Sequence, residues 1–316
     1  MSTGPLPASP RRITLLLNPT AGRGRAQRAG GIVERRLRAA GAEVTVLPAG
    51  SMEQMSTFAD EAVASAQRSA GEGIAHMVVA VGGDGTVHVV LQSVAGSGVP
   101  FGVVAAGSGD DAARAWGLPR ADPDAAADVL LAGETAEMDL GLAVAADGAS
   151  RWFATVVATG FDAKVSERAH TLDAVPSALR YVASVAIELR ALRPRRYRLT
   201  LDGVTSEIEA MLVAVANSRS YGGGMAVCPD ALPDDGLLDV LVLGPLPRAD
   251  FVRVFPRVYR GTHLSHPAVS VRRVRQARVD TVDVVAFVDG ELLGPLPQAI
   301  TVRSAALQVV GGHSST

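Results

Sequence analysis

Three short stretches gather glycine, hydroxyl and carboxylate groups at spacings that suit phosphate chemistry. Residues 18–26 read NPTAGRGRA, residues 82–86 read GGDGT, and residues 105–115 read AAGSGDDAARA. Glycine lets a backbone approach a phosphate closely, and a hydroxyl such as that of Thr86 or Ser108 adds a donor. One such loop is ordinary turn chemistry. Three of them on one sheet edge describe an anion-binding site.

The elements around these loops can put them there. ITLLLNP, EVTVLPAG, HMVVAVGG and FGVVAAGS read as strands, separated by helical stretches such as AQRAGGIVERRLRAAG and MSTFADEAVASAQRSAG. Runs apolar on both faces with helices between them imply a parallel sheet covered on two sides. Ligands of such a sheet bind beyond the carboxyl ends of its strands, where helix N-termini attract anions.

After AGETAEMDLGLAV the texture changes. RWFATVVATGF, RYRLTLDG, EIEAMLVAVANS, GLLDVLVLG, VDVVAFVDGE and QAITVRS read as strands without regular crossovers, interrupted by helical insertions PSALRYVASVAIELRALR and RADFVRVFPRVYRG. The expected organisation is an α/β domain over 1–137 and an antiparallel β-sandwich over 138–302. A last strand at about 303–312 returns to the first domain. The opening twelve residues and the closing GGHSST are expected to be disordered.

Composition narrows the classes. The chain has 316 residues, 48% hydrophobic, with a formal net charge of -2, which argues against wrapping nucleic acid. The lone cysteine, Cys228, forms no internal disulfide and reads as a small buried hydrophobe. No stretch approaches the roughly 18 apolar residues of a membrane span, so a cytoplasmic protein that meets membranes only from the surface is expected. There is no G-x-x-x-x-G-K-[ST], and no G-x-G-x-x-G opens a helix after the first strand, which speaks against a Walker-type NTPase and a nicotinamide dehydrogenase.

Seven segments in order resemble the diacylglycerol kinase catalytic-domain family, which includes bacterial lipid kinases and sphingosine kinases. They are NPTAGRGR (18–25), GGDGT (82–86), GSGDDAARAWGLP (107–119), MDLG (138–141), TGFDAKV (159–165), YGGGMAVCPDALPDDGLLDV (221–240) and FVDGE (287–291). The resemblance implies a nucleotide-binding domain, a lipid-substrate sandwich and an active-site cleft between them. It also implies transfer of the γ-phosphoryl group of ATP, with Mg2+, to a lipid hydroxyl such as that of diacylglycerol.

It further implies roles for single residues. Asn18, Pro19, Thr20, Gly22 and Arg23 match the first phosphate loop, with Arg23 as the cation facing the phosphates; Gly82, Gly83, Gly85, Thr86, Gly107, Ser108 and Gly109 supply the others. Asp84, Asp111 and Asp139 occupy the acidic positions near nucleotide and metal. Asp289 is the expected general base, with Asp84 as the competing assignment, and Glu291 would orient nucleotide or metal. Asp230 and Asp235 match a second, structural metal site. The arginines of RALRPRRYR (190–198) and VRRVRQAR (271–278) could attract anionic head groups. A sheet edge in the second domain could pair with a second copy.

The chain departs from the family pattern in places. Asp110 stands where asparagine is usual, Ala21 where serine is common, and TVLPAGSMEQM lacks the family's threonine. Asp110 brings an extra negative charge beside the nucleotide, which could repel phosphate or recruit metal. Two other readings therefore stay open: a non-catalytic nucleotide- or lipid-binding relative, and an NAD-type small-molecule kinase, although the Asn-Glu motif of the latter is absent.

Overall fold

A computed structural model describes residues 11–160, 184 and 193–313. The part of TGFDAKV beyond Gly160 and, apart from Ser184 and Arg193, the helical insertion expected over 176–193 lie outside the described residues. The chain divides into two compact units. The first comprises Met1–Leu140, Pro233–Asp235 and Arg303–Thr316; the second comprises Gly141–Leu232 and Gly236–Val302.

In the first unit, β1 (Arg11–Leu17), β2 (Glu43–Pro48), β3 (Ala75–Gly82) and β4 (Pro100–Ala105) form a parallel sheet in the order β2-β1-β3-β4. Val, Ile, Leu and Ala fill these strands because helices cover both faces. On one face α1 (Ala21–Ala39) and α5 (Pro123–Ala132) bury Ala26, Val33, Leu37, Ala127 and Leu130 against Ile13, Leu15, Val79 and Val81. On the other lie α2 (Met52–Gly71), capped by the Ser51 side chain, and α3 (Asp84–Val94); α4 (Asp111–Ala115) is a single short turn.

The strands expected as QAITVRS and ALQVV are one strand, β16 (Gln298–Val310), with Ala305 in the left-handed region at φ 51°. Its far end runs parallel to β4, pairing Gln308 with Pro100 and Val309 with Phe101. The expectation of a disordered GGHSST is corrected at its start: the Gly311 N–H donates to the Glu134 carbonyl at 2.7 Å and the His313 N–H to the Trp116 carbonyl at 3.2 Å. Arg11 and Arg12, placed in the disordered opening, belong to β1.

The second unit is built on an antiparallel sheet, β12-β11-β10-β7-β14-β15, made of β12 (Val269–Val274), β11 (Leu238–Leu243), β10 (Leu212–Ala216), β7 (Val156–Thr159), β14 (Val285–Val288) and β15 (Glu291–Pro295). Alternation along β10 decides what each face meets. Val213 and Val215 pack toward β8 (Arg195–Leu201), β13 (Gln276–Asp280) and the start of β16, where Tyr197, Leu199, Val279 and Ile300 complete a sandwich core. Ala214 and Ala216 face the other way, toward Met225, Phe251 and Val258. EIEAMLVAVANS, expected as one strand, is two, because β9 (Val204–Ala210) pairs with β8 and the chain changes sheet at Met211. RADFVRVFPRVYRG is α-helical only over α6 (Arg248–Val254) and continues as a 3-10 turn over Phe255–Arg260; Pro256 at its start has no N–H to give.

Candidate active site

The three loops leave the carboxyl ends of β1, β3 and β4 in the first unit, and they bind one another. Asn18 Nδ2 donates to Thr86 Oγ1 at 3.1 Å, while its Oδ1 accepts from the Thr20 hydroxyl at 2.9 Å. The Ala106 N–H donates to the Gly82 carbonyl at 2.8 Å. Gly22, Arg23 and Gly24 take three successive left-handed conformations, with φ of 58°, 58° and 84°, so the regular part of α1 begins only after them. Arg23 is exposed, and no hydrogen bond or ion pair to it is found among the described residues. Arg25 is the residue that sequence reasoning missed: its Nε donates to the Gly22 carbonyl at 3.1 Å and its NH2 to the Gly107 carbonyl at 2.6 Å, tying the first loop to the third. The repeated arginine of GRGR was the available signal.

Several glycines here are required by the loops themselves. A Cβ on Gly82 would collide with Thr86 Oγ1, one on Gly107 would stand 2.7 Å from the Gly83 Cα, and one on Gly109 would stand 2.7 Å from Asp84 Oδ2. The close approach they permit is of one loop to another, and it builds the cradle before any ligand arrives.

Carboxylates converge on the same place. Asp84 Oδ1 accepts the Asp111 N–H at 2.6 Å, capping α4, while its Oδ2 and that of Asp111 flank Gly109. Burial first and the Asp111 charge second push Asp84 up to about 6, against the pull of the Asp111 N–H. Asp110 sits left-handed at φ 51° and its Oδ1 accepts the Gly107 N–H at 2.8 Å. Burial raises its pKa, opposed by that N–H and by Arg25, Arg120 and Arg114. The extra charge of Asp110 thus feels the attraction of three guanidinium groups, which burial outweighs.

Asp139 is buried, and its Oδ1 accepts the Ala305 N–H at 2.9 Å while its own N–H donates to the Pro233 carbonyl at 2.7 Å. These bonds hold β5 (Thr135–Ala145), the Pro233 turn and β16 together in the first unit. Asp230 is exposed and belongs to the second unit, whereas half-buried Asp235 belongs to the first. Among the described residues no group of three or more His, Cys, Asp or Glu side chains is gathered to hold a metal ion. Magnesium needs fewer, since it takes one or two carboxylates together with nucleotide phosphates and water. Asp84 and Asp111 fit that donor set.

In the second unit Asp289 ends β14 with φ 48°. Its Oδ2 accepts the Ala154 N–H at 2.9 Å, and its Oδ1 accepts the Thr155 N–H at 2.9 Å, the Thr155 hydroxyl at 2.6 Å and the Val156 N–H at 3.1 Å. Four donors from the turn between β6 (Ser150–Phe153) and β7 thus end on one carboxylate. Nothing in the sequence marked Thr155. Glu291, at the start of β15, is exposed. The same unit holds an apolar cavity of about 70 Å³, lined among others by Met225, Leu241, Phe251, Val254, Val258 and His263.

The arginines of RALRPRRYR within β8 are ladder residues: Arg196 meets Glu209 at 3.7 Å and Arg198 meets Glu207 at 3.2 Å across β9. Among the described residues no helix is long and apolar enough to cross a membrane.

Comparison with known proteins places similar chains beside this one. Residues 12–143 match the model of the diacylglycerol kinase catalytic domain, and residues 155–311 match that of the YegS C-terminal NAD kinase beta sandwich-like domain. A diacylglycerol kinase of Mycobacterium tuberculosis is 38% identical over 301 residues, spanning 95% of this chain and 94% of its own. One from Bacillus subtilis is 27% identical, spanning 91% of this chain and 92% of its own. The crystal structure of a diacylglycerol kinase from Bacillus anthracis str. Sterne shares the fold with a TM-score of 0.69 at 17% identity, covering 95% of this chain and 96% of that one.

Proposed function

This chain belongs to the diacylglycerol kinase catalytic-domain family, and from that premise we propose that it transfers the γ-phosphoryl group of ATP, with a divalent cation, to the hydroxyl of a lipid such as diacylglycerol. The observation that carries the reading is the bonded ring of three loops in the first unit, Asn18 to Thr86, Arg25 to Gly107 and Asp84 to Asp111. Phosphoryl transfer asks for alignment and charge neutralisation more than for covalent chemistry.

When bound, ATP supplies the phosphoryl group and magnesium offsets the charge on its phosphates. The chain does the rest. The N-terminus of α3 and the Ser108–Gly109 turn offer N–H groups to phosphate oxygens, and Arg23 offers an exposed cation. Asp111 would hold the divalent cation. Asp84, raised toward neutrality, accepts the proton of the acceptor hydroxyl. Asp289, with both oxygens engaged by the 154–156 turn, positions that turn. The apolar cavity of the second unit receives part of an acyl chain.

The test is transfer of label from γ-labelled ATP to a panel of lipids in mixed micelles. Labelled lipid with the wild type and none with Asp84→Asn supports the assignment. Label that persists in Asp84→Asn moves the proton acceptor elsewhere, and no labelled lipid in the wild type removes the kinase reading.

A further inference from the structure

The segment joining β11 to β12 is closed at its base, where the Gly244 N–H donates to the Ala268 carbonyl at 2.7 Å. Between these residues, α6 and the 3-10 turns at Phe255–Arg260 and Thr262–Ser265 form a flap with two unlike faces. Phe251, Val254 and Val258 recur at helical spacing, are buried and roof the apolar cavity, with Phe255 stacked on Phe251 at 5.6 Å between ring centres. The opposite face carries Arg253, Arg257 and Arg260, together with Val252 and Tyr259, which are 54% and 47% exposed.

Charge separates this surface from the arginines of β8. Arg196 and Arg198 are each met by a glutamate of the neighbouring strand. In the flap, residues 248–265, the four arginines 248, 253, 257 and 260 stand against one acid, Asp250, which Arg253 approaches at 3.0 Å. The excess is positive, and it is interleaved with an exposed aromatic ring and an aliphatic side chain. Arginine and tyrosine in that mixture suit the boundary between water and lipid.

We propose that the outer face of this flap is the surface by which the protein lies on an anionic phospholipid bilayer, with Arg257 and Arg260 against lipid phosphates and Val252 and Tyr259 at headgroup depth. The inference rests on the lipid-acceptor reading and adds the place of contact. It also accounts for the size of the cavity. About 70 Å³ is less than half of the roughly 150 Å³ that admits benzene elsewhere, so an acyl chain enters only when the flap lifts. A segment whose ends are bonded to each other can lift without breaking the β11–β12 ladder, and lifting it at a bilayer brings the cavity to the lipid.

The experiment uses the full chain and co-sedimentation with vesicles of phosphatidylcholine mixed with phosphatidylglycerol, against phosphatidylcholine alone. Each arginine at an anionic surface is worth about fivefold in affinity, so R257Q/R260Q binds the mixed vesicles on the order of 25-fold more weakly. R196Q/R198Q binds within about twofold of the wild type, because each of those charges is already met by a glutamate. Tyr259→Ser weakens vesicle binding and leaves binding to heparin, a soluble polyanion, unchanged.

Unchanged vesicle binding by R257Q/R260Q overturns the proposal. So does a wild type that prefers neutral vesicles or shows no preference, and so does an equal loss of heparin binding in Tyr259→Ser. Phosphoryl transfer to a dispersed short-chain diacylglycerol is measured alongside. Flap-dependent vesicle binding without turnover supports the docking surface while removing the kinase reading; turnover without vesicle binding does the reverse.

Discussion

Replacing Asp289 with alanine should unfold the second unit at a markedly lower temperature. The change leaves the N–H groups of Ala154, Thr155 and Val156 without their acceptor, at residues only 1%, 3% and 2% exposed. A buried donor left unpaired costs ~1–3 kcal/mol, so three cost ~4 kcal/mol if water enters the space vacated by the carboxylate. Alanine held at the φ of 48° adds ~1 kcal/mol. At 2–4 °C per kcal/mol for a unit of this size, the melting temperature falls by roughly 10–20 °C. Asp289→Asn is milder. Asparagine accepts the left-handed conformation and its oxygen can serve Thr155 and Val156, but its amide NH2 then faces the Ala154 N–H, for a loss of ~2 kcal/mol. Calorimetry of the three proteins, with turnover measured per folded molecule, decides the role. If Asp289→Asn melts within about 2 °C of the wild type while turnover falls by a factor of ~1,000 or more, the carboxylate is a proton acceptor and the positioning role is refuted.

Asp110→Asn should leave stability within about 0.5 kcal/mol and the KM for ATP within about threefold, because an amide oxygen can accept the Gly107 N–H equally well and three arginines draw on the charge from the protein side; a tenfold change in KM would show that the charge acts on the nucleotide. Two buried histidines should take stability away in mild acid. His76, between Thr14 Oγ1 at 2.9 Å and Ser69 Oγ at 3.1 Å, and His263 are both held below the ordinary histidine range, chiefly by burial. The unfolded chain therefore takes up protons first as the pH drops below about 6.5, so their contribution is complete above that value and drains away beneath it. Asp239 and Asp84, both pushed up to about 6, chiefly by burial, act in the opposite sense, as does Asp110, because the folded state binds their protons before the unfolded chain does. Between about pH 7.5 and pH 5.5 the urea midpoint of His76→Gln should therefore fall less, or rise more, than that of the wild type; equal slopes in the two proteins would contradict the account for His76.

The parallel half of the fold was legible because its signals are local. Val, Ile and Leu runs ending in glycine mark β1, β3 and β4, and the loops after them contain the residues that do bind one another. The partners were less legible. Asp289 and Thr155 are 134 residues apart and meet only because β14 pairs with β7, a register that no pattern in either segment specifies. Asp139 carries the composition of a metal ligand, yet its Oδ1 accepts the N–H of Ala305, whose left-handed backbone an alanine does not advertise. Glycines 82, 107 and 109 were readable as a phosphate cradle, while their packing against Thr86, Gly83 and Asp84 depends on three loops arriving together. The break at Met211 was hidden for a related reason: both halves of EIEAMLVAVANS suit a strand, and only the tertiary fold assigns them to different sheets.

The far end of β16 lies beside β4, with Val309 and Val310 fully buried. During synthesis the first unit is therefore held one strand short of completion until residues 303–310 have been translated. The backbone edge of β4 waits for a partner while the whole second unit is made, and a nascent chain with an open, apolar edge invites pairing with other chains. A ribosome stalled shortly before residue 303 should display a protease-sensitive amino-terminal half that becomes resistant once the closing residues emerge. The order in which the two units mature would then be the reverse of the order in which they are encoded.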